Sequence, residues 1–110
     1  MNIIVKRAVL YYIELYPLAK IPLLTWYNEF LKQEFNHFNE LKRVYKNASI
    51  VANNRVVFNI KCNDFRLVVG VNFKQKAAYI IWFGTHTAYN KINVETVAFD
   101  TKILTYAANK

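Results

Sequence analysis

The chain has 110 residues, 55% of them hydrophobic and 16% aromatic, a length that favours one domain over residues 1–110 and a composition that excludes global disorder. Its 15 Lys and Arg against 7 Asp and Glu give a formal charge of +8, which attracts polyanions: nucleic acid first, an acidic protein second, with plain solubility as the alternative. Cys62 is the only cysteine, which excludes an intramolecular disulfide and fits a reducing cytoplasm.

Met1-Asn2-Ile3-Ile4-Val5-Lys6-Arg7 puts apolar residues ahead of the charges, and no small-residue cleavage site follows, so it does not read as a signal peptide. Asn2 to Val5 reads as a short edge strand. From Lys6, the apolar residues Val9, Tyr12, Ile13 and Tyr16 follow helical spacing, and Pro17 stops that helix. Pro22 suits the first position of a second helix. Leu23, Trp26, Tyr27, Phe30 and Leu31 are its apolar positions, and Glu29, Lys32, Gln33 and Glu34 its solvated face. A short third helix is expected from about Asn39 to Tyr45, with Asn36 and Asn39 as candidate caps and His37 at its start. Trp26, Tyr27, Phe30, Phe35 and Phe38 are read as core.

At Arg55 the period changes to two. Val56, Phe58 and Ile60 point one way, and Arg55, Val57, Asn59 and Lys61 the other. Asn63-Asp64 marks a tight turn. The next strand, Phe65 to Phe73, carries Phe65, Leu67, Val69, Val71 and Phe73 on one face and Arg66, Val68, Gly70 and Asn72 on the other. Lys74-Gln75-Lys76 is a second turn. Ala77 to Phe83 is apolar on both faces, as a central buried strand is, and is too short to span a bilayer. Gly84 ends it. Thr85 to Ile92 reads as one or two turns of helix capped by Thr85. Ala98 to Lys110 is open between a docked strand and a frayed end. Helices first and strands later give an α+β class; the expectation is a soluble cytoplasmic protein with no membrane partner.

With Asn63 and Asp64 as a two-residue loop, Cys62 pairs with Phe65, Lys61 faces Arg66 and Asn59 faces Val68. Like charges facing each other across strands are destabilising, so a protein that keeps such a pair has a use for it in holding an anion, or else lets it splay into water. If Phe73 pairs near Ala78, Thr85 returns beside Arg66. In a helix, His86, Tyr89 and Asn90 share a face. A His, a Tyr and two or more cations then converge at one end of a three-stranded sheet. RNA cleavage needs such groups. The ribose 2′-hydroxyl must lose a proton to attack the phosphate, the leaving 5′-oxygen must gain one, and the charge on the phosphate oxygens must be stabilised. Imidazole titrates near physiological pH, and a guanidinium donates two parallel hydrogen bonds to a phosphate. Other chemistries fit poorly. His37 and His86 are the only histidines, no ligand cluster has metal spacing, Gly70 and Gly84 make no phosphate loop, and Cys62 reads as non-catalytic. No metal and no cofactor is expected.

Asn53-Asn54-Arg55-Val56-Val57-Phe58-Asn59-Ile60-Lys61, then Phe65-Arg66-Leu67-Val68-Val69 and Phe83-Gly84-Thr85-His86-Thr87-Ala88-Tyr89-Asn90-Lys91-Ile92, resemble the HigB-type toxins of the RelE/ParE superfamily. The looser similarity reaches Trp26-Tyr27 and Ala48-Ser49-Ile50. The resemblance implies a RelE-like α+β fold, with N-terminal helices packed on a curved, mainly antiparallel sheet and a short C-terminal helix. It implies an mRNA interferase, an endoribonuclease often acting on ribosome-bound messages. Its partner would be a HigA-like helix-turn-helix antitoxin, with operator DNA bound only through the toxin–antitoxin complex. Carried over by position, Arg66 would contact the scissile phosphate, with Lys61 a second cation and Arg55 a third. Asn59 would lie on the RNA-binding face, and His86, Tyr89 and Lys91 would complete the site, with His86 moving the proton and Tyr89 positioning or relaying. Asn90 stands where many relatives have Asp; if that Asp orients the His, proton transfer is weaker here. The competing readings are a non-catalytic ParE-like toxin that inhibits a protein, and a plain nucleic-acid-binding module.

Overall fold

A computed structural model describes residues 1–3 and 6–106. The expected edge strand is present as β1, Asn2–Ile3; its extension through Val5 lies outside the described residues, as do residues 107–110. Helix α1 covers Lys6–Leu15 and buries Ala8, Val9 and Tyr12. A 3-10 turn, Pro17–Ala19, leads directly into α2, Lys20–Lys32. The second helix therefore starts before Pro22, which becomes its third residue. That position is tolerated because the first four N–H groups of a helix have no partner within it. Helix α3, Phe38–Val44, starts at His37 without a side-chain cap. Asn36 and Asn39 do not cap it: the Asn36 N–H instead donates to Glu40 Oε1 at 2.8 Å, and Asn39 lies inside the helix.

Among the described residues, five strands form one sheet in the order β1-β5-β4-β3-β2. The strands are β2 Ser49–Val51, β3 Arg55–Ile60, β4 Phe65–Asn72 and β5 Ala77–Thr85. The ladder from β2 to β5 is antiparallel, and β1 adds to β5 in parallel, Asn2 opposite Ala77. Sequence periodicity showed three of these strands. Strand β2 is too short to display a period of its own, and two left-handed residues, Asn53 and Asn54 (φ 64° and 58°), turn it onto β3.

The faces of the central strands follow the alternation. Val56, Phe58, Ile60, Phe65, Leu67, Val69 and Val71 join Ala78, Ile80 and Phe83 in a core beneath α1, α2 and α3. Aromatic rings fill it: Trp26 stacks on Phe30 at 5.0 Å, Phe58 lies 5.3 Å from Trp26, and Phe65 stacks on Phe83 at 5.3 Å. The opposite face carries a second cluster of Val57, Val68 and Ile81, partly covered by Tyr89, Val94 and Val97. A register shift between Val68 and Val69 makes Ile81 the extra residue of a bulge, which explains how β5 is apolar on both sides. The tail is docked through a helix: α5, Lys102–Thr105, buries Ile103, and Arg7 Nη1 donates to the Leu104 carbonyl at 2.8 Å. No described helix is long and apolar enough to cross a membrane.

Candidate active site

The β3–β4 connection is longer than the sequence indicates. Ile60 pairs with Phe65, leaving Lys61 to Asp64 as a four-residue turn in which Lys61 and Cys62 are left-handed (φ 53° and 57°). Lys61 therefore does not face Arg66; Asn59 does, and Val68 faces Val57. The offset is two residues, so every side chain keeps its expected face. The apposed-cation argument falls with this register. Lys61 instead pairs with a residue the sequence reading passed over: its Nζ lies 3.0 Å from Asp64 Oδ2. An acid three residues after a lysine across a turn was the available signal.

Arg66 is half-buried in β4. Its Nη1 donates to the carbonyls of Asn63 and Phe65, both at 3.2 Å, which folds the guanidinium back against the turn. Nε and Nη2 make no hydrogen bond among the described residues. The β4–β5 ladder closes with Val71 opposite Ala78, two residues from the expected register, and the bulge restores one of them, so Arg66 lies opposite Gly84 rather than Thr85; β5 runs on to Thr85 instead of ending at Gly84.

Helix α4, His86–Tyr89, follows at once. Thr85 caps it as expected, its Oγ1 accepting the Ala88 N–H at 3.1 Å. The His86 N–H donates to the Asp64 carbonyl at 3.0 Å, which ties the start of α4 to the β3–β4 turn. His86 is exposed. Tyr89 is half-buried, its ring 6.2 Å from that of Trp82, and Trp82 lies over Gly84: a Cβ there would meet Trp82 Cη2 at 2.7 Å. Asn90 forms the C-cap of α4, and Lys91 beyond it is exposed.

Lys61, Asp64, Arg66, Asn59, His86 and Tyr89 thus come from elements that meet at one end of the sheet. Arg55 does not join them. It pairs with Gly70, four residues along β4 from Arg66, about 13 Å at the rise of a strand. Its Nη1 donates to the carbonyls of Val94 and Val97, both at 2.9 Å, so its guanidinium holds the segment that follows α4. Among the described residues, no three His, Cys, Asp or Glu gather as metal ligands would.

This arrangement lies on a chain that matches, over residues 19–92, the family described as HigB_toxin, RelE-like toxic component of a toxin-antitoxin system. The chain belongs to the HigB toxin family. The match spans α2 to just beyond α4, so it takes in the β3–β4 turn, Arg66 and His86. None of the curated proteins compared with the chain matches it. Membership makes the chain the toxic half of a toxin–antitoxin pair, and an antitoxin is therefore its partner.

Proposed function

We propose that this HigB family toxin is a cytoplasmic endoribonuclease that cleaves mRNA, on the ribosome, by attack of a ribose 2′-hydroxyl on the adjacent phosphate. The observation that carries this reading is the backbone tie between His86 and Asp64. It brings an exposed imidazole to the same sheet end as the unengaged edge of the Arg66 guanidinium. In this reading His86 moves the proton, and Arg66 Nε and Nη2 hold the scissile phosphate through the two parallel bonds a guanidinium offers. Tyr89 positions or relays, and Asn59, directly across the ladder from Arg66, lines the RNA. Lys61 and Lys91 add positive charge, Lys61 only in part because Asp64 already pairs with it. The step needs no redox change. The 2′-oxygen forms a bond to phosphorus as the 5′-oxygen leaves and takes up a proton, giving a 2′,3′-cyclic phosphate and a 5′-hydroxyl. A HigA-like antitoxin with a helix-turn-helix would neutralise the toxin and carry the pair to operator DNA.

Expression of the wild-type chain should arrest growth and leave cleaved messages with those ends. His86→Ala and Arg66→Ala, in folded protein, should each lower kcat by about 10²- to 10⁴-fold, the size of a lost acid–base or charge-stabilising group. Lys61→Ala should cost less than either. Growth arrest of wild-type strength from both of the first two variants refutes the assignment.

A further inference from the structure

The chain has two glycines, Gly70 and Gly84, and both lie under aromatic rings. A Cβ on Gly70 would meet the Tyr79 ring, with the hydroxyl oxygen 2.7 Å away, and a Cβ on Gly84 would meet the benzo edge of Trp82. Gly70 faces Tyr79 across the ladder, and Gly84 faces Arg66. Tyr79 points away from the helices, because Ala78 and Ile80 on either side of it belong to the helical core. Trp82 belongs to the second cluster on the same outer face. Each ring is thus laid on bare backbone, the arrangement by which an aromatic covers a strand glycine. Trp82 is half-buried, with the Tyr89 ring beside it. Tyr79 remains 41% exposed.

We propose that these two rings are a stacking track for single-stranded RNA, leading away from the phosphate held by Arg66. The inference rests on the ribonuclease reading above and adds the binding site for the nucleotides beside the scissile bond. Three features favour RNA as the occupant. The track is continuous with the candidate phosphate site, since the Trp82 ring lies over the residue directly opposite Arg66. The backbone under the two rings is separated by the four residues from Arg66 to Gly70, about 13 Å. Bases in a duplex strand are about 3.4 Å apart, so a strand laid on both rings has its bases unstacked from each other and stacked on protein. That is how single strands are bound with little dependence on base identity. The Tyr79 end also opens on a 280 Å³ cleft lined by Asn53, Asn54 and Asn72; Asn53 Nδ2 donates to the Glu95 carbonyl and Asn72 Oδ1 accepts the Gln75 N–H, so the Asn54 amide is the one placed to pair with the edge of a base on the tyrosine.

The test uses the full-length toxin and a single-stranded 2′-O-methyl oligoribonucleotide, which lacks the attacking hydroxyl and therefore reports binding independently of cleavage. Trp26 is buried, so quenching of tryptophan emission by the oligonucleotide reads Trp82, and it should disappear in Trp82→Phe. Tyr79→Leu should weaken binding about tenfold, the scale of one lost base stack, and Tyr79→Trp should restore it. A wild-type toxin that is not quenched, or a Tyr79→Leu variant that binds as tightly as wild type, overturns the track. So does a Tyr79→Leu variant that loses affinity for the antitoxin and none for RNA, since the rings would then be a protein-docking surface. A toxin that binds and quenches as expected but never cuts RNA leaves the track standing and refutes the nuclease.

Discussion

Thr85 shows how much of the site hangs on single side chains. Helix α4 has four residues, too few to hold together by its own hydrogen bonds. Two contacts fix it: the Thr85 hydroxyl on the Ala88 N–H, and the His86 N–H on the Asp64 carbonyl. Thr85→Ala should cost about 1 kcal/mol of stability, the usual value of an N-cap, read as a lowered Tm. Because His86 and Tyr89 ride on this turn, the variant should also lower kcat more than it raises KM, and Thr85→Ser should recover both. A fall in Tm with turnover untouched would mean that the geometry of α4 is irrelevant to catalysis. The cap was legible in the sequence, as a threonine between a strand and a helical pattern. The pairing of Lys61 with Asp64 was signalled only by the spacing of the two, because that they share one turn depends on a length only the folded register reveals.

At the scale of elements, the strands and their faces could be read from periodicity, while their registers could not. A two-residue turn at Asn63-Asp64 would put Cys62 in the core-facing row opposite Phe65. The chain puts Ile60 there, buried to 4% exposure, and leaves Cys62 outside. Ile60 lies in the core-facing row in either register; the longer turn takes Cys62 out of that row, and the left-handed Lys61 and Cys62 absorb the extra residues. The bulge at Ile81 was invisible for a related reason: on a strand apolar on both faces, a phase slip leaves no trace in the pattern. Arg55 is the element-scale surprise. It reads as an RNA contact but acts as a latch, joined by Asn53 Nδ2, which donates to the Glu95 carbonyl at 2.7 Å. Arg55→Leu removes two hydrogen bonds that pin residues 94–97 over the second cluster. The expected result is faster amide hydrogen exchange from Val94 to Val97, with protection in β4 and β5 retained and a stability loss of about 1–3 kcal/mol. Unchanged exchange in that segment would show that apolar contacts alone hold it.

For the molecule as a whole, net charge is a blunt guide. Arg7, Lys42, Arg55 and Lys76 each donate to backbone carbonyls, so part of the basic excess serves to fasten loops and termini rather than to meet phosphate. The aromatic content is more directly legible, because most of it went where the apolar periodicity put it. That packing brings a pH dependence. Burial raises the phenols of Tyr12 and Tyr45, Tyr45 to about 12 from an ordinary 10.0, and the nearby Glu29 carboxylate adds to the rise at Tyr45. A phenol with a raised folded pKa keeps its proton where the unfolded chain has released it. The unfolded state therefore binds fewer protons above pH 10, and stability falls as pH rises. These groups contribute no slope below that point. The Tm should hold as pH approaches 10 and then decline, with tyrosinate absorbance emerging in step with loss of the near-UV signal of packed rings. Tyr45→Phe separates this cause from general charge effects. The Tyr45 hydroxyl is buried and has no hydrogen-bond partner among the described residues, so removing it should leave stability at neutral pH unchanged or raised by about 1 kcal/mol, and should flatten part of the alkaline decline. A Tyr45→Phe protein that is less stable at neutral pH and declines as steeply above pH 10 would show that this hydroxyl is bonded after all and that the alkaline loss arises elsewhere.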